Sequence, residues 1–142
     1  MRVEGKLIKS TKFWIADIPM FDLCIQGKTK KETLYTVKEA VKDLVEVSFE
    51  SLIPDNFEVF VESSGKLNDF SVSFSDVQVM TAFVLKRQRE KHGLSVREVV
   101  KRLGAKSTNA YFDYERLRRK PTIAKFELML HAINPNRNIY LR

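Results

Sequence analysis

Gly93-Leu94-Ser95-Val96-Arg97-Glu98-Val99-Val100-Lys101-Arg102-Leu103-Gly104-Ala105-Lys106-Ser107-Thr108-Asn109-Ala110-Tyr111 packs two helix starts and two helix stops into one short stretch. Gly93 closes the helix before it, and Ser95 is placed to cap the next one. That helix carries Val96, Val99, Val100 and Leu103 at i, i+3, i+4 and i+7, one apolar stripe. Gly104 supplies the turn. Ser107 is placed to cap a further helix with Tyr111, Tyr114 and Leu117 on one side. Working outward, Asp76 is placed to cap a helix over Val77–His92. On the other side Thr122 caps a helix whose expected buried stripe is Ile123, Phe126, Leu130 and Ile133, ended by Asn134-Pro135. Asn138–Leu141 reads as a terminal strand.

Two short helices joined by a tight glycine turn, braced by a helix on each side, form a helix-turn-helix, which presents its second helix to a DNA major groove. The groove admits one helix, whose first turn needs short polar residues to reach base edges. Ser107, Thr108 and Asn109, preceded by Lys106, are such residues, and Asn is a bidentate partner for adenine. Phe112 and Asp113 follow on the same helix, and Asp113 is able to accept from cytosine N4. Arg116, Arg118, Arg119 and Lys120 form the expected backbone clamp after it, with Ser95, Arg97 and Arg89 as further phosphate contacts.

The residues before this region follow a different period. Val3, Gly5 and Leu7 alternate with Arg2, Glu4 and Lys6; Phe13–Ile18 divides into Phe13, Ile15 and Asp17 on one face and Trp14, Ala16 and Ile18 on the other, and after Pro19 Phe21, Leu23 and Ile25 alternate with Asp22, Cys24 and Gln26. Thr29-Lys30-Lys31-Glu32 has capping-box spacing and opens a helix with Leu34, Val37, Val41 and Leu44 as its expected stripe. Phe57, Val59 and Val61, then Phe70, Val72 and Phe74, give two more alternating strands. The order β-β-β-α-β-β predicts a small sheet with a helix on one face. The fold class is therefore α+β: a sheet domain over residues 1–76 and an all-α domain over residues 77–142.

Charge divides at the same place. Residues 1–76 hold 10 Lys and Arg against 13 Asp and Glu, a net of −3, and residues 77–142 hold 15 against 5, a net of +10. The basic half is suited to phosphates and the acidic half is not. At 142 residues and 44% hydrophobic, the chain has enough apolar content for packed cores. No apolar run approaches the roughly 20 residues of a membrane span, so no membrane association is expected. The charged start carries no secretory pattern and the single cysteine, Cys24, has no disulfide partner; both lead to a cytoplasmic expectation.

With these residues in view, the second half resembles Cro/repressor-type helix-turn-helix domains, through Gly93–Glu98 and Arg102–Ala105. The stretch Lys106–Arg116 followed by Lys120-Pro121 is closer to the variant in HicB-type antitoxins. The first half, through Trp14–Pro19 and Gln26–Thr33, is similar to the partial RNase H-like domain of the same antitoxins. The resemblance implies a type II toxin–antitoxin role. The first domain would neutralise a HicA-type toxin, a small basic RNA-cleaving protein, and the second would bind double-stranded operator DNA and repress the operon. It also implies a homo-dimer or higher oligomer. The chain departs from the repressor pattern at Val96, where Gln is common, and at Val100, where Ala is usual.

Catalysis is not expected. A two-metal nuclease needs a carboxylate cluster, and only Asp17 and Asp22 come near one another. His92, His131 and Cys24 lack partners at ligand spacing, so neither a metal nor another cofactor is expected. The competing function is a ligand-responsive transcriptional repressor with no toxin partner.

Overall fold

The computed structural model describes residues 1–136. Asn138–Leu141, expected as a strand, lies outside the described residues. The chain divides into two compact units, Met1–Asp76 and a second beginning at Val77.

The first unit is a five-stranded antiparallel sheet with one long helix. Its strands are β1 (Val3–Lys9), β2 (Trp14–Ile18), β3 (Leu23–Gly27), β4 (Val59–Ser63) and β5 (Asp69–Phe74), in the spatial order β3-β2-β1-β5-β4. The alternation of β1 places Val3, Gly5 and Leu7 inside, and that of β5 places Phe70, Val72 and Phe74 inside. Register pairs Gly5 with Phe70, and the Phe70 ring lies directly over the glycine, where a Cβ would overlap it. The α1 helix (Lys30–Phe49) packs across β2, β3 and β4. The Thr29 hydroxyl accepts from the Glu32 N–H at 3.1 Å, one half of the expected capping box, while the Thr33 hydroxyl donates to the Thr29 carbonyl at 2.7 Å.

Two expectations for this unit need correction. The buried stripe of α1 is Thr33, Val37, Val41, Val45 and Phe49, and Leu34 and Leu44 sit half-buried at its border. Steps of four residues rotate about 40° each on a helix of 3.6 residues per turn, so the stripe winds around a helix that crosses the sheet obliquely. The strand expected over Phe21–Gln26 begins only at Leu23. Pro19–Phe21 form a 3₁₀ turn closed by Asp22 at φ 50°, which drives Phe21 into the core.

The second unit contains α2 (Val77–Lys91), α3 (Val96–Leu103), α4 (Thr108–Glu115) and α5 (Ile123–Ile133). All residues from Val79 to Leu85 are buried, so α2 is the central helix of this unit. Both α2 and α3 end in Schellman caps. The Gly93 and Leu94 N–H groups donate to the Glu90 and Arg89 carbonyls, and the Gly104 and Ala105 N–H groups to those of Lys101 and Val100. Gly93 at φ 65° and Gly104 at φ 69° supply the left-handed residue each cap requires. Ser95 and Thr122 cap α3 and α5 through side-chain bonds of 3.1 Å to the Glu98 and Lys125 N–H groups.

On α5 the buried set is Phe126, Met129, Leu130 and Ile133; Ile123, expected inside, is 72% exposed at the first turn. On α4 only Tyr111 and Glu115 are buried, in place of the expected Tyr111, Tyr114 and Leu117. The helix stops at Glu115, and Leu117 follows with φ 61°.

Candidate nucleic-acid interface

The position of α4 is set at its C-terminal end by polar contacts. Its last residue, Glu115, has a side chain only 2% exposed and faces Arg89 of α2. The Arg89 Nε donates to both Glu115 oxygens at 3.1 and 2.9 Å, and Nη2 donates to Oε1 at 3.0 Å. The remaining Nη1 donates to the Leu94 carbonyl at 2.9 Å, so one guanidinium ties α4 to the turn before α3. Burial depresses the Arg89 pKa, but the hydrogen bonds and charge of Glu115 outweigh it and the net shift is upward. Burial likewise pushes the Tyr111 phenol up, and the Glu115 carboxylate adds to that shift. The Gln78 amide of α2 donates to the Leu117 carbonyl at 2.9 Å and fixes the exit of α4. Arg102 of α3 donates to the Ala132 and Ile133 carbonyls, closing the C-terminus of α5.

The opposite side of α4 faces solvent. Lys106, Ser107, Thr108, Asn109 and Ala110 are all exposed. Ser107 occupies the N-cap position with extended backbone but makes no side-chain capping bond, unlike Ser95 and Thr122. The hydroxyl of Ser95 accepts from Glu98 and keeps its own proton for donation, and Arg97 is exposed beside it. Phe112, Asp113 and Arg116 form a half-exposed cluster. The Arg116 guanidinium lies 4.3 Å from the Phe112 ring centroid and donates to Asp113 Oδ1 at 2.9 Å. The Asp113 backbone carbonyl also accepts from the Arg118 and Arg119 N–H groups at 2.9 and 3.2 Å. Arg118, Arg119 and Lys120 are exposed, with Arg119 lying 5.9 Å from the Tyr114 centroid.

The structure thus brings Lys106, Ser107, Thr108 and Asn109 together at the exposed start of α4. It groups Phe112, Asp113 and Arg116 further along, and Arg118, Arg119 and Lys120 beyond the helix. Arg89 is not available as a phosphate contact, because its guanidinium is consumed inside the unit. The buried role of Glu115 was not read from the sequence. Its signal was position: four residues after Tyr111 puts it on the inward side of α4. Among the described residues no group of three or more His, Cys, Asp and Glu could hold a metal ion, and no helix is long and apolar enough to cross a membrane. Asp17 accepts from the Cys24 thiol at 3.8 Å.

A rigidly held short helix with a polar, exposed first turn, standing one glycine turn after another helix and flanked by cations, defines a DNA-binding helix-turn-helix domain. Residues 85–134 match the family model described as Helix-turn-helix, which spans α3, α4 and α5 together with the end of α2. No curated protein matches the chain.

Proposed function

We propose that the chain is a sequence-specific transcription regulator that places α4 in the major groove. The observation that carries this reading is the exposed first turn of α4, with Thr108 and Asn109 unburied between Lys106 and the Arg118–Lys120 segment. Thr108 and Asn109 read base edges. Lys106, Arg118, Arg119, Lys120 and Arg97 bind phosphates, as does the Ser95 hydroxyl. Asp113 is paired with Arg116, so its role is to hold that guanidinium over Phe112, and cytosine recognition by Asp113 is secondary. Two copies on paired half-sites supply the specificity one helix lacks. The regulator is not an enzyme.

The finer reading is an antitoxin of the HicB type that represses its own operon. The first unit, as a partial RNase H-like domain, captures a HicA-type toxin. Its surplus of acidic residues suits a cationic partner and speeds encounter.

DNA selection from a random duplex pool, followed by titration of variants, tests the regulatory reading. Asn109→Ala is expected to lose about 1–3 kcal/mol on the selected site and to relax one base position. Arg119→Ala should weaken all duplexes alike and lower the salt slope by about one. Equal effects of both changes on selected and random DNA would refute the assignment. For the finer reading, the product of the adjacent gene should be a small basic protein that co-purifies with the chain and is toxic without it. A harmless neighbour would remove the antitoxin role and leave the regulator intact.

A further inference from the structure

The net charge of the first unit conceals two opposite ends. Lys9 closes β1, Trp14 opens β2 and pairs with Lys9, and Gly27 closes β3 opposite Trp14. The same end therefore carries the 10–13 turn with Lys12, Lys28, the start of α1 with Lys30 and Lys31, and the β4–β5 turn with Lys66. Its acids are Glu32, Asp69 and Asp17, the last two level with each other on either side of Lys6. The far end carries Asp22, Glu46, Glu50, Asp55, Glu58 and Asp76, with Arg2 among them. In α1 Lys30 and Lys31 share the first turn with the dipole-favoured Glu32, while Glu46 in the last turn and Glu50 at the C-cap stand against the helix dipole with no cation in that turn. A recognition role for the basic end accounts for the two lysines in the first turn, which the dipole disfavours.

The basic end also has shape. A cleft of about 730 Å³ opens between the first turn of α1 and the β4–β5 turn. Leu7 and Leu34 line its floor, and Lys30, Lys31 and Lys66 stand on its walls with Asp69 as the acid among them. Lys30 links the cleft to Trp14, half-exposed beside it. The Lys30 and Lys9 ammonium groups lie 4.9 and 5.0 Å from the Trp14 ring centroid. An ammonium held by a ring quadrupole is transferable to a phosphate, and its departure uncovers the indole face. Apolar floor, cationic walls and a flat aromatic in one row are what an unpaired strand requires: bases stack on π-faces and lysines follow the backbone.

We propose that the basic end of the first unit is a binding track for single-stranded nucleic acid, separate from the duplex-reading surface of α4. Trp14 is the stacking platform, and Lys9, Lys30, Lys31 and Lys66 engage phosphates. A duplex buries its base faces and does not offer them to Trp14.

Trp14 is the only tryptophan in the chain, so its emission reports this track even though the second unit is also basic. Titration of the full chain with an unstructured uridylate dodecamer should quench Trp14 emission. Salt should weaken the effect with a log–log slope of roughly −2 to −3, from about −0.7 per phosphate engaged. The double variant Lys31→Glu/Lys66→Glu, at two exposed positions, should raise the apparent Kd at least tenfold while leaving duplex binding by the second unit unchanged. Arg119→Ala should leave the quenching as it was. Circular dichroism checks that the variants are folded. The proposal is overturned if the dodecamer leaves Trp14 emission unchanged, if quenching survives the double reversal, or if polyglutamate quenches equally at the same charge concentration.

Discussion

Removing the Glu115 carboxylate tests whether α4 is held by the ion pair with Arg89. The two side chains are 2% and 15% exposed, and the carboxylate receives three of the four hydrogen bonds that the guanidinium donates. In Glu115→Ala the half-buried Arg89 cation keeps only the Leu94 carbonyl of these hydrogen-bond partners. Breaking a buried pair in this one-sided way costs about 3–5 kcal/mol. A unit of roughly 60 residues has a total stability of roughly 3–9 kcal/mol, so most of it would be lost. With a urea m-value of about 1 kcal/mol/M for a unit this small, the midpoint should fall by about 3 M or more. The assay separates the units: ellipticity weighted toward the four helices of the second unit, and Trp14 emission for the first. Ellipticity should drop or unfold early while the Trp14 transition stays in place. A companion variant, Arg89→Met/Glu115→Leu, replaces both charges with apolar volume and should recover most of the loss, because a buried pair contributes little net stability over a packed apolar substitute. A Glu115→Ala midpoint within about 0.5 M of the parent would refute the reasoning. A double variant no better than the single would show that volume, not unpaired charge, sets the cost.

Three further outcomes follow from local geometry. The Cys24 thiol is pushed up by partial burial and by the Asp17 and Asp22 carboxylates, so it should alkylate more slowly than an unstructured cysteine near pH 8, and Asp17→Asn should speed the reaction several-fold. Burial raises the Tyr111 phenol above its unfolded value of about 10, so its contribution to stability is complete below that pH and is lost as pH climbs past it. In an alkaline absorbance titration, one of the four tyrosines should ionise only as the second unit unfolds, and Tyr111→Phe should abolish that late step. Gly5→Ala drives a methyl into the Phe70 ring inside the sheet; the Trp14-reported transition should lose about 1–3 kcal/mol, with helix ellipticity of the second unit unaffected.

Local signals were legible where one chemical rule dominated. The Schellman glycines at 93 and 104, the caps at Thr29, Ser95 and Thr122, and the alternation of β1 and β5 each depend on neighbours a few residues away, and all are visible in the sequence. What was lost depends on the third dimension. Phe21 continues an alternating pattern yet enters the core through a 3₁₀ turn, because Pro19 and the left-handed Asp22 redirect the chain. Ile123 keeps helical register with Phe126 but stands at the first turn, beyond the reach of the helices that cover Met129. Arg89 reads as a free cation because its partner is 26 residues away. The basic end of the first unit emerges only once strand register places Lys9, Lys28 and Lys66 together, which a net charge of −3 gives no hint of.

Among the described residues, the ion pairs Glu115–Arg89 and Asp113–Arg116 bear on how the proposed DNA contacts would divide between affinity and discrimination. Within Thr108–Glu115 the only charged residues are Asp113 and Glu115, and both partners, Arg116 and Arg89, lie outside the helix. The helix proposed to enter the groove therefore carries no cation of its own. On the proposed reading, attraction to the phosphate backbone would come from the flanks, from Lys106 before α4 and Arg118, Arg119 and Lys120 after it. In the proposed assignment Thr108 and Asn109 would then contribute sequence preference with little effect on non-specific binding. A reader built this way holds a single half-site weakly and gains from pairing, because each added copy brings another set of flank cations to the same duplex. The dimeric occupancy of paired half-sites proposed above would thus follow from where α4 lacks charge as much as from its size.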